Sequence, residues 1–170
     1  MKIGIIGSGN IGGNIGKNWA KAGHEVMFSS RHPEELKEMA QSVGAKVGTT
    51  EEAAKFGEVI LLAIPYGKVP DVAEQIGSLD NKILIDAGNL YPNRDGEMAQ
   101  KVIDDESQTA TGYIASLFPG AKTVKAFNSV FYEVFAEQAF KQGDERIAVQ
   151  ICSDEPEAKE TVKQLIRPLA

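Results

Sequence analysis

The chain has 170 residues, 42% of them hydrophobic and 25% charged, which fits one globular domain with a sizeable core and excludes a mainly disordered segment. Lys and Arg number 18 against 24 Asp and Glu, a net charge of −6, which excludes nonspecific nucleic-acid binding because phosphate contacts need clustered cations. One cysteine precludes an internal disulfide, the start reaches glycine too early for a signal peptide, and no apolar run nears the ~20 residues of a spanning helix, so a cytoplasmic domain without a membrane partner is expected.

Short apolar runs alternate with helical patterns along the chain. The run 2–6 reads as a strand and leads into a glycine-rich loop. A helix follows, with Ile11, Ile15 and Trp19 on one face, a smooth stripe of Gly12, Gly16 and Ala20 beside it, and Gly23 at its C-cap. A second strand occupies 25–28. Pro33 opens the next helix, Glu34 and Glu35 suit its N-terminal dipole, and Leu36, Met39, Ala40 and Val43 form its buried face before Gly44. Thr49 and Glu52 have the spacing of a capping box for a short helix ending near Gly57. The run 58–64 lacks polar alternation, so both of its faces should be covered, as in a parallel sheet between helix layers. Pro70 starts a helix that buries Val72, Ala73 and Ile76 and stops at Gly77; a strand over 82–85 comes next.

The span 87–106 reads as irregular. It contains Asn89, Tyr91, Pro92, Asn93 and Arg94 and follows a strand, so it is placed to cover a ligand beyond the C-terminal strand edges. Strands are then expected at 123–127 and 146–151. The aromatic residues Phe127, Phe131, Tyr132, Phe135 and Phe140 read chiefly as core, or as part of a dimer face. Asp154 and Glu157 resemble a capping box opening a last helix that buries Val162, Leu165 and Ile166. The alternation predicts a doubly wound α/β fold, mainly parallel with helices on both faces, as a single domain over 1–170.

Gly7-Ser8-Gly9-Asn10-Ile11-Gly12 fits G-x-G-x-x-G. The bare pattern is weak, but here a strand precedes it and a helix follows. Gly7 permits the tight turn, Gly9 lets backbone approach a pyrophosphate, and Gly12 allows close helix–strand packing. The blander alternative is a glycine turn with no ligand. An NAD site usually places an acidic residue at the end of the second strand. This chain has Phe28-Ser29-Ser30-Arg31-His32 there, hydroxyls and an arginine that suit the 2′-phosphate of NADP. A polar strand end with a solvated arginine is the competing interpretation. Pro65 and Tyr66 end the strand after Ile64, where a nicotinamide ribose could lie. Asn89 and Asn128 follow strand ends on the same side, although Asn128 equally suits a turn or N-cap. His24, His32 and Cys152 show no metal-ligand spacing, and no serine-hydrolase elbow is present.

With Ser30-Arg31, Ala63-Ile64-Pro65-Tyr66 and Val124-Lys125-Ala126-Phe127-Asn128 added to the glycine motif, the chain resembles the deazaflavin (coenzyme F-420)-dependent NADP oxidoreductases and their bacterial relatives. The resemblance runs from Met1 to about Arg167. It implies a Rossmann sheet, a homodimer, and hydride transfer between NADPH and a deazaflavin or related flavin stacked on the nicotinamide. By motif match it assigns the pyrophosphate to Ser8 through Gly12, the 2′-phosphate to Ser30 and Arg31, and the border of the nicotinamide to Pro65. The chain departs from the best-studied members at Leu36, where they are basic, and at Asn128, where they have histidine. The family's C-terminal, deazaflavin-contacting segment is expected to be absent here. No catalytic acid or base is assigned, because hydride passing between stacked rings needs none on the transferred atom. The alternatives are a non-catalytic NADP(H) sensor and imine reduction of the pyrroline-carboxylate type.

Overall fold

The computed structural model describes residues 1–137, 139–143 and 146–169. Strand β1 (Lys2–Ile6) lies centrally and is followed by helix α1 (Asn10–Lys21) and β2 (Glu25–Ser29). A 3₁₀ turn over Pro33–Leu36 continues into α2 (Lys37–Gln41), then β3 (Lys46–Gly48), α3 (Thr50–Phe56) and β4 (Val59–Leu62). A second 3₁₀ turn at Tyr66–Lys68 runs into α4 (Val69–Ile76), followed by β5 (Ile83–Asp86), α5 (Pro92–Asp95), α6 (Glu97–Asp104) and α7 (Ala110–Leu117). The remaining elements are β6 (Lys122–Ala126), α8 (Tyr132–Glu137), β7 (Ile151–Cys152) and α9 (Pro156–Ile166). The strands form one sheet in the order β3-β2-β1-β4-β5-β6-β7, parallel except for β7. This is the doubly wound α/β fold that the alternation predicts.

Strand residues alternate between two apolar layers, as the two-residue period requires. Ile3, Ile5, Val59, Leu61, Ile85 and Val124 face one layer, where α1 supplies Ile15 and Trp19 and α9 supplies Val162 and Leu165. Ile6, Ile60, Leu62 and Leu84 face the other, with Val69 of α4, Ile114 of α7 and Phe118. Side-chain donors anchor α1: Asn18 Nδ2 donates to the Phe135 carbonyl at 2.6 Å and Trp19 Nε1 to that of Leu165 at 2.8 Å. The Thr49–Glu52 capping box forms as expected. Among the described residues no helix is long and apolar enough to cross a membrane.

Four expectations are corrected. The span 87–106 is not irregular, because it contains α5 and α6; Gly96, at φ 74, separates them, and α6 buries Ala99 and Val102. The strand expected over 146–151 pairs only at Ile151 and Cys152, opposite Ala126 and Lys125. Phe127 adopts φ 69 at the end of β6, and the ladder with β7 stops at Ala126 and Ile151, although Ile147 and Val149 pack on the core. Helix α9 starts at Pro156 after Glu155, without a side-chain cap hydrogen bond from Asp154; Ser153 Oγ instead accepts the Glu155 N–H. The aromatic cluster divides: Phe127 and Phe135 are fully buried, while Phe131 is 72% and Phe140 44% exposed. The three-residue β3 is a further strand that the sequence reading did not anticipate.

Candidate functional site

The strand order reverses between β1 and β4, and the glycine loop lies at the C-terminal end of β1, where such sheets bind ligands. Gly7 has φ 92, and a Cβ there would come within 2.5 Å of the Ala63 carbonyl oxygen. On Gly12 a Cβ would lie 2.1 Å from the Gly7 oxygen, so close packing requires glycine. Gly9 differs, since a Cβ there meets nothing within 4 Å. It is the exposed N-cap of α1, which carries no side-chain cap and no acidic residue in its first turn. The first-turn N–H groups of α1 are thus left for an anion, and the open face over Gly9 fits a pyrophosphate. Asn10 is exposed beside it and Ile11 half-buried.

Ser8 Oγ donates to the Ser29 carbonyl at 3.0 Å, tying this loop to the exit of β2. Ser29 is itself committed to structure: fully buried, it donates to the Ile5 carbonyl at 2.7 Å. Ser30 Oγ accepts the His32 N–H at 3.0 Å, and Arg31 and His32 are exposed. No carboxylate ends β2. His32 Nδ1 is 3.5 Å from Glu34 Oε1; with Glu35 these residues form an exposed, solvated group. The structure therefore brings Ser8, Ser30, Arg31 and His32 to one end of the site.

At the other end, the exits of β4, β5 and β6 enclose a crevice of about 160 Å³. Ile11, Ile64, Pro65, Gly88, Asn89 and Asn128 line it, as do Tyr91 and Arg94. Asn89 Nδ2 donates to the Asn128 carbonyl at 2.8 Å and Asn128 Nδ2 to Asn89 Oδ1 at 3.2 Å, bridging two strand exits. Arg94 forks onto Asp95, with Nε at 3.0 Å from Oδ1 and Nη2 at 2.7 Å from Oδ2, and stacks over Tyr91. Asp95 also accepts the Gly67 and Tyr91 N–H groups. Burial pushes the Asp95 carboxyl up, but the Arg94 and backbone hydrogen bonds outweigh it and hold it below the usual carboxylate value.

Tyr66 does not line the crevice. Its side chain is 1% exposed and lies beneath, with the hydroxyl donating to Asp86 Oδ2 at 2.6 Å. Burial, reinforced by the Asp86 carboxylate, pushes this phenol far above its ordinary value, so it stays protonated. Sequence reasoning missed Asp86, Asp95, Thr111 and Lys125. Two signals were available for this group: an aspartate closing an apolar strand, and a lysine inside Val124-Lys125-Ala126.

Residues 2–90 match the family of coenzyme F420-dependent NADP oxidoreductases. Metalloreductase STEAP3 of Rattus norvegicus is 33% identical over an alignment of 171 positions, which covers 99% of this chain and 32% of the relative. The chain spans about a third of the length of the curated metalloreductases it matches. Among solved structures, hypothetical protein SMa0349 from Sinorhizobium meliloti superposes with a TM-score of 0.80 at 26% identity, over 99% of this chain and 80% of that one. An imine reductase of Streptomyces aurantiacus, 17% identical, gives 0.71 over 100% of this chain and 53% of its own, a likeness of fold alone.

Proposed function

The chain belongs to the coenzyme F420-dependent NADP oxidoreductase family, and from that premise we propose that it binds NADP(H) and passes hydride between NADPH and a deazaflavin or related flavin. One observation carries this reading: an acid-free glycine loop with an open face at Gly9 sits beside Ser30 and Arg31. Backbone from Gly7 to Gly12, with Ser8, Asn10 and Ile11, holds the pyrophosphate. Ser30, Arg31 and His32 hold the 2′-phosphate, with the arginine fork bonding phosphate and stacking on adenine. Ile64, Pro65, Asn89 and Asn128 border the nicotinamide and exclude water from its reacting face; Tyr66 supports them from below.

The nicotinamide, when bound, supplies the hydride chemistry. The protein contributes alignment. The phenol of Tyr66 is committed to Asp86 and Arg94 to Asp95, which suits exchange between two delocalised rings better than reduction of a carbonyl, whose alkoxide charge calls for a proton donor. We assign residues 1–170 to one NADP-binding domain, acting in the cytosol as a homodimer on a small-molecule acceptor.

The test is NADPH oxidation, followed by nicotinamide absorbance, against deazaflavins, flavins and ferric chelates, the last because the curated relatives are named metalloreductases. Turnover with a deazaflavin or flavin is expected. NADPH binding without turnover across the whole panel overturns the catalytic reading in favour of a sensor.

A further inference from the structure

Beneath the crevice, polar groups from three strand exits and α7 meet on one buried carboxylate. Asp86, which closes β5, is 1% exposed. Its Oδ2 accepts from the Tyr66 hydroxyl at 2.6 Å, from Thr111 Oγ1 at 3.1 Å and from Lys125 Nζ at 2.9 Å. Its Oδ1 accepts the Gly88 N–H at 3.0 Å. The Lys125 ammonium also donates to the Tyr66 hydroxyl oxygen at 3.2 Å and to the Gly88 carbonyl. An ammonium has three N–H donors, and these partners occupy all of them. Lys125 therefore has no donor left for a ligand.

Gly88 is the one member of this network that lines the crevice. Its N–H belongs to the peptide before it and its carbonyl to the peptide after it, so the network fixes both planes. The Tyr66 ring fills the remaining space: a Cβ on Gly88 would lie 2.6 Å from ring carbon Cε2. A glycine at a strand exit is ordinarily the least constrained point of a loop; here it is held from three directions. Asn89 follows it directly and bridges to Asn128 at the exit of the strand that carries Lys125.

We infer that Lys125 is a positioning residue for the site: through Gly88 it sets the width of the crevice between β4 and β6 without touching anything bound there. The inference rests on the NADP reading above. A buried ion pair often contributes little over well-packed apolar residues of the same volume, so fixing geometry is the role this inference gives the Lys125–Asp86 pair.

The experiment compares NADPH with 2′,5′-ADP, which carries the adenine, the 2′-phosphate and one phosphate of the pyrophosphate but lacks the nicotinamide half. Removing Lys125 alone would strand a buried carboxylate, so the main variant is the double substitution Asp86→Asn with Lys125→Met; Tyr66→Phe, which keeps the ring and loses only the hydroxyl, is the milder second variant. In the double variant 2′,5′-ADP affinity should stay within about twofold while NADPH affinity falls about tenfold, and kcat for NADPH oxidation should fall by up to about a hundredfold, the scale of a small misplacement of reacting groups. Tyr66→Phe should move the same quantities less. An unchanged ratio of the two affinities together with unchanged kcat, even with a lower Tm, overturns the inference and leaves the NADP reading intact. If the unmutated protein binds neither probe, the NADP reading fails and the inference with it. A shifted affinity ratio in a protein without turnover supports positioning while removing the proposed acceptor.

Discussion

An added Cβ would lie 2.1 Å from the Gly7 oxygen if placed on Gly12 and would meet nothing within 4 Å if placed on Gly9, whose φ of −76 any residue tolerates. The two substitutions should therefore separate binding from folding. Gly9→Val is expected to keep the circular dichroism and Tm of the parent while calorimetry detects no NADPH binding. Gly12→Ala is expected to lower Tm, because backbone rather than a flexible side chain must move. Arg31 provides the complementary test at the other end of the site. It is exposed, so Arg31→Ala should leave Tm unchanged. The parent should prefer NADPH to NADH at least about tenfold, or 1.4 kcal/mol, and the variant should lose most of that preference with NADH affinity nearly constant. Equal calorimetric affinities of the parent for the two cofactors would contradict the assignment of the 2′-phosphate to Ser30-Arg31. These positions were legible in the sequence because a turn glycine and a missing strand-end acid are local properties.

Helix α5 has only the residues Pro92–Asp95, too few to hold itself in place, and Asp95 docks it to Gly67 in the turn after β4. Because its carboxyl is held below its ordinary value of 3.8, the ionised form is favoured in the fold. The stabilisation is complete above that value and is lost as pH falls through the depressed folded value. Asp95→Asn should accordingly lower Tm at neutral pH, and the difference from the parent should shrink towards zero in acid, measured by thermal melts across a pH series. The capping box of α3 predicts a simpler loss: Thr49→Ala should cost about 1 kcal/mol at any pH where the fold persists, read by urea unfolding. At this scale the sequence was partly legible. Thr49 and Glu52 act within one turn and could be read directly. Helix α6 was missed although Met98, Ala99, Val102 and Ile103 share one helical spacing, because Pro92 and Gly96 just before it read as loop punctuation. The ladder to β7 stops next to Phe127, an aromatic residue at φ 69 that no local propensity predicts.

Across the whole molecule, the glycine loop and the crevice adjoin, since Ile11 of the motif lines the crevice, and both rest on β1, β4 and β5, whose residues after Lys2 and Ile83 are buried. Binding that spans both ends should stabilise the fold as a unit: at 100 times its Kd, NADPH is expected to add about 2.7 kcal/mol to the unfolding free energy. Hydrogen exchange should slow at the loop after Ile6 and across residues 87–95 together. Slowing at the loop alone would show that the nicotinamide end is not engaged. The Lys125–Asp86–Tyr66 group illustrates why the deeper part of the site escaped sequence reasoning. Its members are 59, 39 and 20 residues apart, and they meet only because β4, β5 and β6 are neighbours.

The two outer strands carry a further consequence. β3 has three residues and β7 two, so neither margin of the sheet presents a long row of free backbone groups on which another chain could polymerise. Fibril growth and strand exchange have little template here. Short margins of this kind disfavour the pairing of two copies by strand addition.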